Sequence, residues 1–139
     1  MDTVDSDAYD CFHCGRLFRT TVFEVIRERD RVYFDTDPPS VEVRESEGLE
    51  CYCSRMCLDA CAPIVMAREG TPISPPGIGP VEVCARCKGP VDMTRFHLTY
   101  LASCAMYIGF AMQTLETDYL AVVCNHCSIT ITAQATTVS

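Results

Sequence analysis

β-Branched and aromatic residues recur along the chain in short runs broken by charge or by proline. Thr20-Thr21-Val22-Phe23-Glu24-Val25-Ile26 and Arg31-Val32-Tyr33-Phe34 flank the charged run Arg27-Glu28-Arg29-Asp30, a pattern that predicts two strands joined by a charged turn. Asp35 to Ser40, with Pro38 and Pro39, reads as a turn, and Val41-Glu42-Val43 begins another extended piece. Leu49-Glu50-Cys51-Tyr52-Cys53 is a further strand candidate. Ser54 then offers a helix N-cap, and Arg55 to Ala62 predicts a helix that Pro63 kinks or ends, with Ile64 to Glu69 a second short helical piece.

Residues 71–80 hold four prolines and two glycines, which cannot continue a helix or sit inside a sheet, so they read as a linker. Beyond it, Val81-Glu82-Val83 and Tyr119-Leu120-Ala121-Val122-Val123 are extended apolar runs. Between them Phe96 to Leu115 carries no formal charge with His97 neutral, and its length approaches that of a membrane span. His97, Thr99, Tyr100, Ser103, Gln113 and Thr114 dilute that signal. The preferred reading is a buried helix or strand pair, and a candidate surface for self-association. The expected organisation is therefore two small modules, 1–70 and 81–139, joined by 71–80, with 96–115 inserted in the second.

Cysteine changes the picture. Eight of eleven cysteines fall in close pairs: Cys11/Cys14, Cys53/Cys57, Cys84/Cys87 and Cys124/Cys127. Three pairs are spaced Cys-x-x-Cys and one Cys-x-x-x-Cys, spacings that bring two thiolates onto one tetrahedral metal ion. The linker divides the pairs two and two, which favours sequential sites over a cross-braced arrangement. The chain opens Met1-Asp2-Thr3-Val4-Asp5 without an apolar leader, and the cysteine count is odd. Both features favour reduced, metal-bound thiols in the cytoplasm over disulfides. Two modules of this size have thin cores and need such a staple. The expectation is two Zn²⁺ per chain.

Cys51 and Cys61 extend the first set, and Cys61 lies one helical turn beyond Cys57. Cys53 and Cys57 are the preferred ligands, leaving Cys51, Cys61 and Cys104 as small buried apolar residues. His13 and His126 sit inside cysteine pairs, where the intervening residue points away from the metal in most such turns.

The strings Cys11-Phe12-His13-Cys14-Gly15 and Tyr52-Cys53-Ser54-Arg55-Met56-Cys57 resemble a treble-clef zinc finger of the TRASH and MYM type. In that finger a knuckle and the start of a helix share the metal. Cys84-Ala85-Arg86-Cys87-Lys88-Gly89 with Cys124-Asn125-His126-Cys127 resembles a zinc ribbon, which implies two knuckles at hairpin tips. Gly89 is the expected positive-φ residue of its turn. The implied fold class is α+β, built from two zinc-stabilised modules.

Net charge is −8, and two tetrathiolate zinc sites would take it to about −12. Residues 1–70 hold fifteen acids and eight bases, against four and three in 71–139. Four thiolates leave a zinc ion no open position. Deaminase, nucleotide-loop and metalloprotease patterns are missing from the sequence, and three Cys-x-x-Cys pairs at paired spacing argue for metal over a thioredoxin-like use. The reading is a non-enzymatic, soluble zinc-binding adaptor or regulator that meets a protein partner, a basic one by charge. The alternative is a nucleic-acid-binding regulator using Arg16, Arg19, Arg27, Arg29 and Arg31. A third is a thiol sensor built on Cys51, Cys53, Cys57 and Cys61.

Overall fold

The computed structural model describes residues 9–15, 17–18, 21–108 and 111–128. It is mostly antiparallel sheet. A short hairpin, β1 (Tyr9–Asp10) and β2 (Leu17–Phe18), precedes a long one, β3 (Thr21–Tyr33) and β4 (Ser40–Tyr52), followed by helix α1 (Arg55–Arg68). The order then repeats. The short hairpin β5 (Val81–Val83) and β6 (Pro90–Asp92) leads to the long hairpin β7 (His97–Ile108) and β8 (Ala111–Val123), and a helical turn follows over 125–128.

The two long hairpins match in register. In β3/β4 three paired residues, then four, then four are separated by irregularities at Val25/Ile26 and Arg29/Asp30. In β7/β8 the same succession is separated at Tyr100/Leu101 and Cys104/Ala105. Each irregularity puts an extra residue in the outer strand, as a β-bulge does. The hairpins meet along β3 and β7, giving one four-stranded sheet in the order β4-β3-β7-β8. Segments 1–70 and 81–139 thus supply two strands each to a continuous sheet.

Several expectations are corrected here. The charged run Arg27–Asp30 is the middle of one strand, because its side chains find partners from elsewhere, Glu28 accepting from the Ser46 hydroxyl at 3.3 Å. Arg27 pairs with Glu47 and Glu69, Arg29 donates to Asn125 and Ser128, and buried Asp30 accepts from the Thr99 hydroxyl at 2.7 Å. The pieces at Val41–Val43 and Leu49–Cys53 are two ends of β4. The helix does not break at Pro63, which lies on its exposed side, where water can satisfy the carbonyl that the missing N–H leaves free. Ser54 caps it as expected, its side chain accepting from the Cys57 N–H at 3.2 Å.

Of the two readings of 96–115, helix or strand pair, the structure shows the strand pair, and it belongs to the central sheet. The segment supplies all of β7 and the start of β8, with Thr99 to Ala105 buried and 111–118 exposed. No helix among the described residues is long and apolar enough to cross a membrane. Cross-strand partners share a face, so Val25, Arg27, Tyr100 and Ala102 lie on one side. α1 packs there, burying Leu58, Cys61, Ala62, Val65 and Met66 in one core with Val25, Tyr52, Tyr100 and Val123. Residues 71–80 have no regular structure and are tied to β8 through Ser74, whose N–H donates to the Leu120 carbonyl at 2.8 Å.

Candidate metal centres

Among the described residues, Cys11, Cys14, Cys53 and Cys57 form one group of four thiols and Cys84, Cys87, Cys124 and Cys127 another, each with sulfurs within 4.8 Å of one another. These are the eight residues singled out from spacing, brought together first pair with second and third with fourth. Cys11 and Cys14 lie in the turn between β1 and β2, and Cys84 and Cys87 between β5 and β6. Cys53 follows β4 and Cys57 sits in the first turn of α1, while Cys124 follows β8 and Cys127 lies in the helical turn 125–128. The second group therefore uses a strand-to-helix corner, where the ribbon resemblance implies a second hairpin tip. Tyr52 opposes Phe23, and Val123 opposes Leu98, which pairs with Arg29, so the centres stand at opposite ends of the sheet.

The sulfur spacing tests the fit to a metal. A tetrahedral ion with metal–sulfur bonds of about 2.3 Å sets its sulfurs about 3.8 Å apart. Cys14–Cys53 is 3.6 Å, Cys53–Cys57 3.9 Å, Cys84–Cys127 3.9 Å and Cys87–Cys124 3.7 Å. A disulfide would need about 2.05 Å, and all eleven cysteines are free. Both sets suit a metal ion with four-thiolate preference.

Backbone amides prepare the thiolates. The N–H groups of Cys87 and Cys124 donate to Cys84 Sγ at 3.5 and 3.4 Å, and Gly89 donates to Cys87 Sγ at 3.4 Å. Burial by itself would push the Cys84 thiol up, but amides of Cys87, Cys124 and Arg86 outweigh it and draw it down to about 6. Cys11 follows the same logic, burial opposed by amides of Cys14, Cys53 and His13, and also falls to about 6. Desolvation and neighbouring thiols push Cys53 and Cys127 up to about 12. Without a metal each group thus favours one thiolate with a protonated thiol beside it. Bound metal would displace the remaining protons.

The knuckle turns contain a correction. Positive φ falls on Lys88, at 67°, in the position that Gly15 occupies at 76° in the first turn. Each donates its N–H to the carbonyl of the leading cysteine, Gly15 to Cys11 and Lys88 to Cys84. Gly89 meets a different constraint: a Cβ there would crowd Cys87 Sγ at 3.3 Å.

The other cysteines stay outside both groups. Cys51 is half-buried and reaches the Asp10 carbonyl at 3.5 Å, while Cys61 and Cys104 are buried. Burial raises all three thiols, which keeps them protonated and unreactive at neutral pH. His13 and His126 are exposed and belong to neither group. Of the five candidate nucleic-acid arginines, Arg16 and Arg19 lie outside the described residues. Arg27 and Arg29 have the partners given above, and Arg31 pairs with Glu42 and stacks on Phe96.

Sequence reasoning missed Arg86. Its guanidinium, inside the second knuckle, donates to Thr71 Oγ1 at 2.6 Å, the Glu69 carbonyl at 3.0 Å, Tyr100 Oη at 3.2 Å and the Cys127 carbonyl at 3.3 Å. An arginine between two knuckle cysteines was the available signal, but its acceptors are distant in sequence. No family model matches the chain, and neither a curated protein nor a solved structure matches it.

Proposed function

We propose that the chain is a zinc-stabilised adaptor, two treble-clef-like halves (1–70 and 81–139) joined by 71–80, that acts through protein–protein contact. The observation that carries this reading is the pair of tetrathiolate groups at metal spacing. Four thiolates around Zn²⁺ fill its coordination and quench its Lewis acidity, so the ion holds surfaces in place and takes no substrate. The surface around the first centre supports the second part. Phe12 and Met56, each beside a ligand cysteine, are 61% and 80% exposed. The outer strand β4 adds exposed Glu45 beside Glu42 and Glu47, which Arg31 and Arg27 hold, and the net charge of −8 suits a basic protein partner through electrostatic steering. Engagement of Arg27, Arg29 and Arg31 within the fold supports this over the nucleic-acid alternative.

Elemental analysis with native mass tests the metal, and two zinc ions per chain is the expected result. The zinc-loaded protein should be retained on immobilised polyarginine, be released by salt, and leave duplex and single-stranded DNA unshifted at low salt. A shifted nucleic-acid probe, or retention that salt does not relieve, overturns the partner reading.

A further inference from the structure

α1 starts at one centre and finishes at the other. Its first turn carries Cys57, capped by Ser54, and its far end meets the second knuckle through Arg86. The guanidinium binds the Glu69 carbonyl and Thr71 Oγ1 at the helix terminus, where a cation satisfies free acceptors and opposes the helix dipole. The same guanidinium holds the carbonyl of the ligand Cys127 and the hydroxyl of fully buried Tyr100. Tyr100 in turn donates to the Glu69 carboxylate at 2.9 Å, which Arg27 of β3 grips at 2.7 Å.

From this geometry we infer that metal binding at the two centres is positively coupled, and that Arg86 is the positioning residue that couples them. The inference rests on both groups holding metal. Metal at the second centre fixes the Cys84–Cys87 turn and the Cys127 backbone, which aims the fork at Glu69 and Thr71. A helix held at its end presents Cys57 to the first centre without further ordering. Linkage makes the effect reciprocal.

Native mass spectrometry of the metal-free protein titrated with Zn²⁺ tests this. Two independent sites, equal or not, leave at least half of the molecules singly loaded at half-saturation. For two centres of equal affinity, tenfold coupling lowers that to about a quarter. The expected result is about a quarter for the wild type and half or more for Arg86→Gln, with both proteins reaching two zinc ions at saturation. Arg86→Lys keeps the charge but not the fork, and should also rise toward half. Saturation below two ions in the wild type refutes the metal reading itself. A wild-type single-metal population as high as independent sites would give, with each centre's affinity taken from the Cys11→Ser and Cys84→Ser variants, overturns the coupling. A population in both variants as low as the wild type's overturns the role of Arg86.

Discussion

After the leading cysteine of the first knuckle comes Phe12, 61% exposed; after that of the second comes Ala85, 1% exposed. His13 in one turn answers to Arg86 in the other, and Gly15 to Lys88. The backbone ignores these differences: Phe12 donates to the Cys51 carbonyl at 3.0 Å and Ala85 to the Val122 carbonyl at 2.9 Å, each carbonyl lying two residues before a ligand cysteine. Two turns that share no side chain but their cysteines are thus docked on the outer strand by the same bond. What repeats is the set of sulfurs and amides. The positions between them are free for other tasks, an exposed apolar rim at one end and a tie to α1 at the other.

The widest test of this equivalence is metal removal. Structural zinc contributes roughly 10–16 kcal/mol of folding free energy in small domains, as much as a domain's whole net stability. Chelation should therefore abolish near-UV circular dichroism and release two ions per chain. Retained tertiary signal would mean that the sheet stands without either centre. Single ligand changes come next. Cys11→Ser and Cys84→Ser should each cost one zinc by elemental analysis, whereas Cys51→Ala should keep both and shift stability by about 1 kcal/mol or less.

A smaller effect probes the face of the sheet opposite α1. Burial raises the Asp30 carboxyl despite the bond from Thr99, and His97 Nδ1 lies 2.8 Å from the Arg95 carbonyl, to which its N–H donates. Nε2 is then a bare acceptor, 3.3 Å from Asp30 Oδ1 and without a hydrogen bond. A raised acid favours folding at low pH and loses that contribution as pH rises through its folded value. Asp30→Asn removes the ionisation and lets an amide N–H in place of Oδ1 reach Nε2, the Thr99 hydroxyl turning from donor to acceptor. It should stabilise by about 1 kcal/mol at pH 8, with the gain fading toward acid pH, where the wild-type carboxyl is itself protonated and can donate. Thermal melts across pH, at constant zinc content, would show this; a destabilised variant at pH 8 contradicts it.

The smallest change exchanges the knuckles' odd positions. Lys88→Gly should gain about 0.5–1 kcal/mol by relieving a positive φ, and Gly15→Ala should lose about 1 kcal/mol or more. Shifts of opposite sign in denaturation midpoint would confirm that the turns are conformational equivalents, and shifts of the same sign would contradict it.

Local chemistry was the legible part of the sequence. Cysteine spacing gave the sulfur groups because two ligands in one turn need only near neighbours, and Ser54 announced its helix for the same reason. The continuous β3 was hidden, because Arg27 and Asp30 are tolerable mid-strand only through Glu69 and Thr99, residues that no local window contains. Lys88 was hidden too. Its φ is imposed by the knuckle's hydrogen bond and the sulfur beside Gly89, against its own preference. The pairing of β3 with β7 left no mark in either strand alone.

That central seam orders events during synthesis. Every residue of the first sulfur group has been made once Cys57 is added, although the hold of Arg86 on the helix end comes only with the second half. β3, by contrast, has no inner neighbour until β7 emerges, and such distant pairing is the slow step in forming a sheet. On the ribosome the first half can load its ion and fold its helix with one sheet edge still open. The second half then arrives at a surface already formed, and folding proceeds as docking onto a template.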